Sequence, residues 1–282
     1  MKIAFLILCA ALIAGGCGKI SRLADAHASH GHDENQDWAK RQVESSPRHQ
    51  EWVSIKHGDR EVKSFVVYPE VSDKAPAVII IHEIYGLSDW IMSVADRLAA
   101  EGYIAIAPDL LTGMAPGGGR TKDFADSSAI REAVTGLPAD QVTTDLDAAA
   151  NYVKALPAAN GKIAVAGFCW GGTQSFRFAS SRSDLSVAFV FYGTGPTDAK
   201  VVERIACPVY GFYGENDARV NATIPETESL MKSASKMFVA KIYDGAGHGF
   251  LRAGADPNSN PANKAAHDAC WKDWLDLLKS SF

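Results

Sequence analysis

Residues 167–171, Gly-Phe-Cys-Trp-Gly, constrain this 282-residue chain more than any other segment. The apolar run 162–166 leads into them and reads as a buried strand, while residues 172–176 behind them open a helical pattern. A strand that gives way to a helix within so few residues needs a sharp, strained turn, and small neighbours let the backbone fold back on itself. Glycine stands two positions to either side of Cys169. The turn therefore holds one side chain at the C-terminal end of a strand, and that side chain is a thiol. This is the pattern of a nucleophile elbow with cysteine where serine is usual. A buried packing cysteine beside a glycine turn is the plainer reading, and the partners of the thiol decide between the two.

A cysteine nucleophile needs a base to form its thiolate, and the base needs a third group to fix its tautomer and stabilise its charged form. In a sheet built around such an elbow these follow in the order nucleophile, acid, histidine. Residues 207–214 form another apolar run, and Glu215, Asn216 and Asp217 follow at its C-terminal end, where open α/β sheets place their chemistry. Asp217 lies deeper in that loop and is the candidate acid, with Glu215 the alternative. The run 237–243 ends in Asp-Gly-Ala-Gly-His-Gly-Phe, which supplies His248 as the candidate base. The other histidines fit that order less well. His27, His30, His32 and His49 are N-terminal, His57 ends an early strand, His82 precedes the nucleophile, and His267 lies in a helical pattern.

The segment His82-Glu83-Ile84-Tyr85-Gly86-Leu87 after the third strand, and Pro108-Asp109 after the fourth, add to these motifs. Together they resemble the dienelactone hydrolases (carboxymethylenebutenolidases) of the α/β-hydrolase superfamily, from about residue 53 to the C-terminus. The resemblance implies a Cys169, His248, Asp217 triad. It also implies that Glu83 interacts with the cysteine and helps to generate its thiolate when substrate arrives. The backbone N–H groups of Trp170 and Ile84 would stabilise the oxyanion, and a thioester intermediate would form. The family's substrates carry a carboxylate held by two arginines. Arg252 matches one of them; Arg120 and Arg131 both lie in the region of the other, and neither aligns. The expected reaction is hydrolysis of a small ester or lactone. Thiolates leave more readily than amines, so a peptide's tetrahedral intermediate tends to collapse backward. A general carboxylesterase or thioesterase is the alternative among hydrolases, and a non-catalytic binding lipoprotein the alternative outside them.

Two early runs, 52–55 and 62–68, flank His57-Gly58-Asp59-Arg60, which reads as a hairpin turn. Further strands are expected at 77–81, 103–107 and 185–191, and helices at 90–101, 140–156, 171–182, 225–235 and 262–279. Strand–helix alternation predicts an α/β fold: a mostly parallel sheet of about eight strands with helices on both faces. The formal charge of -5 argues against a nucleic-acid partner. No dinucleotide fingerprint, P-loop or His-Glu-x-x-His motif occurs, so neither cofactor nor catalytic metal is expected.

The N-terminus carries a separate message. Residues 3–14 form an apolar run after Lys2, too short to span a bilayer and suited to a signal-peptide core. Residues 14–17, Ala-Gly-Gly-Cys, resemble a bacterial lipoprotein box with Cys17 as the lipidated residue; ordinary signal cleavage is the alternative. The expected organisation is a leader over 1–17, a polar His-containing tether over 18–50 and a hydrolase domain over 51–282, exported and periplasmic or lipid-anchored to a membrane through Cys17. The tether's histidines lack the partner spacing of a metal site. A Cys207–Cys270 bridge has no support from a strand position and a helix position, so both are read as packing residues.

Overall fold

Three strands without a charged residue in their buried stretches form the middle of the sheet: β3 (Ala75–Ile81), β5 (Ala159–Phe168) and β6 (Leu185–Phe191). The computed structural model describes residues 36–282, and in it these strands are flanked by β4 (Ile104–Pro108), β7 (Val209–Gly214) and β8 (Phe238–Tyr243). All pair in parallel along the order β4-β3-β5-β6-β7-β8. The hairpin of β1 (Gln50–His57) and β2 (Arg60–Val67) joins antiparallel through β2 and β4, completing eight strands. Gly58 supplies the positive φ of the hairpin turn.

Both faces of the sheet are covered, as parallel strands require. Successive side chains alternate between two cores: Val78, Ala166 and Phe189 enter one, and Ile79, Val165 and Val190 the other. Helices α2 (Asp89–Ala100), α9 (Phe250–Ala255) and α10 (Pro261–Ser281) close the first core. Helices α3 (Ser127–Thr135), α4 (Ala139–Ala155), α5 (Trp170–Ser181), α6 (Ala199–Glu203) and α8 (Ile224–Ser233) contribute to the second. The short α7 (Ala218–Asn221) follows β7. Under the elbow, Phe168, Phe191 and Phe212 stack at 4.6 and 4.8 Å, with Trp274 edge-on to Phe191 at 4.7 Å. These rings form the floor on which Cys169 stands.

The tether expected over 18–50 is corrected in its described part. Asp37–Glu44 is a helix, α1, whose Ala39 is fully buried in the first core, with Trp38 and Val43 packed against it. The chain then runs over α2, where the buried carboxylate of Asp96 accepts from Arg48 Nη2 at 2.6 Å and Nε at 2.9 Å, from Gln50 Nε2 at 3.3 Å, and from Ser46 Oγ. Gln36 Oε1 accepts the Trp90 N–H at 2.9 Å. A two-turn helix that seats only Trp38, Ala39 and Val43 on the core gives too few apolar positions to read as a period. The leader, the Cys17 anchor and the remainder of the tether lie outside the described residues. Cys207 and Cys270 are both free and buried.

Candidate active site

The elbow is built as its glycines demand. Cys169 joins β5 to α5 with φ 54° and ψ -115°, a conformation that side-chain-bearing residues rarely adopt, and its N–H donates to Phe191 O at 2.9 Å. A Cβ on Gly167 would lie 1.9 Å from the Gly171 carbonyl oxygen. One on Gly171 would lie 2.4 Å from the oxygens of both Ile81 and His82. The thiol thus stands at the C-terminal edge of the sheet, at the first residue before a helix.

The two predicted partners converge on it. Asp217 caps α7 after β7, and His248 sits in the loop after β8, just before Gly249, whose φ of +70° turns the chain into α9. His248 Nε2 lies 3.2 Å from Cys169 Sγ, and His248 Nδ1 lies 2.5 Å from Asp217 Oδ2. The alternative acid, Glu215, instead accepts the Gly245 N–H at 2.7 Å and braces the histidine loop. Burial pulls the His248 pKa down, but the hydrogen bonds to Asp217 and Cys169 and their charges outweigh it and push it up to about 10. The charge on Cys169 is that of its ionised sulfur: once the thiol proton is removed, the imidazolium donates to carboxylate and thiolate at once.

Glu83 and Arg252 are brought together rather than left as separate groups. Arg252 Nε donates to Glu83 Oε2 at 2.8 Å, with the side chains 16% and 4% exposed. The expected contact of Glu83 with the thiol is replaced in this state by the arginine, and the sulfur's partner is His248. The Glu83 charge holds the Arg252 guanidinium still further above its usual range. Arg252 lies 5.8 Å from the Tyr85 ring centroid. Burial raises the Tyr85 phenol, with the charges of Glu83, Arg252, Cys169 and Arg131 all reaching it.

That last effect separates the two unaligned arginines. Arg131, on α3, is one of the charges that bear on the Tyr85 phenol. Arg120 lies 3.5 Å over the Trp52 ring, in the wall of a separate cavity of about 850 Å³ that contains none of Cys169, Glu83, His248 or Arg252. Trp170 is the first residue of α5, and the N–H groups of a helix's first turn have no partner within the helix. Ile84 lies in the turn closed by the Gly86 N–H donating to Glu83 O at 3.2 Å.

Sequence reasoning passed over Tyr192. Its ring packs edge-on to His248 at 5.2 Å, and its own φ is 43°. The signal was a Tyr-Gly pair directly after the apolar strand β6.

The family model of the dienelactone hydrolases matches residues 62–282. The chain belongs to that family. Similarity to individual relatives agrees: it is 31% identical over 210 residues to the Salmonella typhimurium protein named "Putative carboxymethylenebutenolidase", covering 70% of this chain and 76% of that one. Among solved structures, "Putative Dienelactone Hydrolase" from Klebsiella pneumoniae superposes with a TM-score of 0.71 at 24% identity, over 81% of this chain and 97% of the other. A dienelactone hydrolase-like promiscuous phosphotriesterase from metagenomic libraries gives 0.70 at 23%, over 83% and 99%. At those identities the two structures speak for the fold, which is that of the α/β-hydrolases. The family makes the protein a hydrolase of the dienelactone hydrolase kind.

Proposed function

We propose that the protein hydrolyses a small carboxylic ester or lactone by acyl transfer through Cys169, with His248 and Asp217 completing a triad. The observation that carries this reading is the unbroken line from Sγ through the imidazole to the carboxylate, 3.2 and 2.5 Å, on a strained elbow.

The resting pair of Glu83 and Arg252 supports a substrate with a carboxylate of its own. A carboxylate docking on Arg252 competes for the guanidinium, and Glu83, released, is free to take the thiol proton. The thiolate attacks the carbonyl carbon, the C=O electron pair moves to oxygen, and the N–H groups of Trp170 and Ile84 stabilise that charge. The intermediate collapses to a thioester as His248 gives its proton to the departing alkoxide. Sulfur in a thioester no longer carries charge or holds the imidazole's proton, so part of what raised His248 disappears, and the neutral ring, oriented by Asp217, takes a proton from the attacking water. The thiolate then leaves as the acid forms and recovers its proton from Glu83. Arg131, whose charge bears on the Tyr85 phenol next to Ile84, is our assignment for the second arginine. We also propose that the enzyme is exported, with Cys17 as its lipid anchor.

The test is hydrolysis of p-nitrophenyl acetate by wild type and Cys169→Ala, alongside a matched ester pair differing by one terminal carboxylate. Cys169→Ala is expected to lose turnover. Wild type is expected to prefer the charged ester by ~10- to 100-fold, the range of a charge-assisted contact, and Arg252→Met to lose that preference. Equal rates for wild type and Cys169→Ala would refute the thiol as nucleophile. A class-wide esterase without carboxylate recognition would show itself as no preference.

A further inference from the structure

The peptide joining Glu83 to Ile84 provides one of the two oxyanion donors in the mechanism above, and the rest of the molecule grips that peptide from behind. His82 Nδ1 lies 2.7 Å from Glu83 O. A carbonyl oxygen only accepts, so Nδ1 carries the proton and donates it. Together with the Gly86 N–H at 3.2 Å, this gives the Glu83 oxygen two donors. In a trans peptide the C=O and N–H point in opposite directions, so holding the oxygen fixes where the Ile84 N–H aims. A hydrogen bond accepted by the carbonyl also polarises the amide and strengthens its N–H as a donor.

The same imidazole touches the other donor's residue. Its ring stacks on that of Trp170, with centroids 5.5 Å apart and planes at 15°. His82 is fully buried, and its Nε2 has no hydrogen-bond partner. An apolar side chain of similar size would fill that space without leaving a polar atom unsatisfied, so packing alone does not account for a histidine here. Burial lowers its pKa, which keeps the ring neutral with its single proton at Nδ1. The far end of the turn is pinned separately. The Leu87 N–H donates to Thr121 Oγ1 at 3.2 Å, and Thr121 Oγ1 donates to Asp109 Oδ1 at 2.6 Å.

We propose that His82 is a positioning residue of the oxyanion hole, its Nδ1–H anchoring the Glu83–Ile84 peptide and its ring face anchoring Trp170, so that both backbone donors keep their places relative to Cys169. The inference rests on the acyl-transfer reading above.

Two substitutions isolate the effect. His82→Phe keeps the ring and its stacking and removes the donor; His82→Asn restores an N–H close to the Nδ1 position. With p-nitrophenyl acetate, His82→Phe is expected to lose ~10- to 100-fold in kcat, below the full loss of an oxyanion donor because the peptide remains, with KM changed by less than about twofold. His82→Asn is expected to regain most of it. Alkylation of Cys169 by iodoacetamide displaces iodide at a saturated carbon and develops no oxyanion, so it is expected to run at the wild-type rate in both variants.

Unchanged kcat in His82→Phe overturns the proposal. So does alkylation that falls in parallel with kcat, which would place the effect on the thiol. Should His82→Phe fail to fold, the comparison of His82→Asn with His82→Gln decides. Both amides fit the space, but only the shorter presents its N–H at the Nδ1 position, so Asn keeps turnover and Gln loses it; equal activity overturns the proposal. Survival of turnover in Cys169→Ala would refute the acyl-transfer reading instead, and it is measured apart from these ratios.

Discussion

Removing the arginine from the buried Glu83–Arg252 pair should cost more than removing both members. Arg252→Met keeps most of the stem but leaves a carboxylate, 4% exposed, without its partner at 2.8 Å. Stranding one charge of a buried pair typically costs about 3–5 kcal/mol, whereas replacing both by uncharged groups of similar volume is often close to neutral. For a domain of this length that cost corresponds to a fall of roughly 6–20 °C in Tm. Glu83→Gln should cost less than Arg252→Met, because the guanidinium it strands is the more exposed of the two at 16%. The double variant Glu83→Gln/Arg252→Met should recover at least about 3 kcal/mol relative to the sum of the singles, the upper end of the usual range for contacting residues. Urea unfolding of the four proteins at neutral pH gives the cycle directly. If Arg252→Met unfolds within about 0.5 kcal/mol of wild type, or if the two changes simply add, the pair is not the buried, mutually dependent contact described here.

Three further outcomes follow from particular contacts. His248 is held above its ordinary value of 6.5, up to about 10, so the stability it contributes is complete below about 6.5 and disappears as pH rises through about 10. The acylation burst should fall along the same upper limb, and Asp217→Asn should move that limb to lower pH; a limb that stays put would show that His248 is not the titrating group. A chain begun at residue 51 should unfold at least about 3 kcal/mol more easily than the full chain, since it strips Arg48 from the buried Asp96 and Ala39 from the core; equal urea midpoints would restore the tether reading. Gly167→Ala should yield little or no folded, active protein, because its new methyl would meet the Gly171 carbonyl at 1.9 Å in a backbone that cannot move aside; a soluble variant with normal turnover would show that the elbow tolerates a side chain.

What the sequence made legible was whatever repeats or is sterically compulsory. Strands β3 to β7 were readable because each is an apolar run whose core stretch is buried on both faces, and the elbow because only glycine fits at Gly167 and Gly171. The convergence of Cys169, His248 and Asp217 was readable from chain order, because successive loops at the C-terminal edge of a parallel sheet bring such groups together. Helix α1 escaped because it is short and only Trp38, Ala39 and Val43 anchor it to the core. Depth in the loop favoured Asp217 over Glu215, but what Glu215 does instead, accepting the Gly245 N–H, has no sequence signal. The attachment of Glu83 to Arg252 rather than to the thiol was equally out of reach: 169 residues separate the pair, and nothing local marks it.

The claim on which the account depends is that the acyl group passes through the sulfur of Cys169. Rapid quenching of wild-type enzyme with an activated ester, followed by peptide mass analysis, tests it without further assumptions. The account predicts an increment equal to the acyl group on the peptide bearing Cys169, removable by hydroxylamine and missing from Cys169→Ala. An acyl group on any other residue, or full turnover with no adduct on that peptide at any quench time, would contradict it.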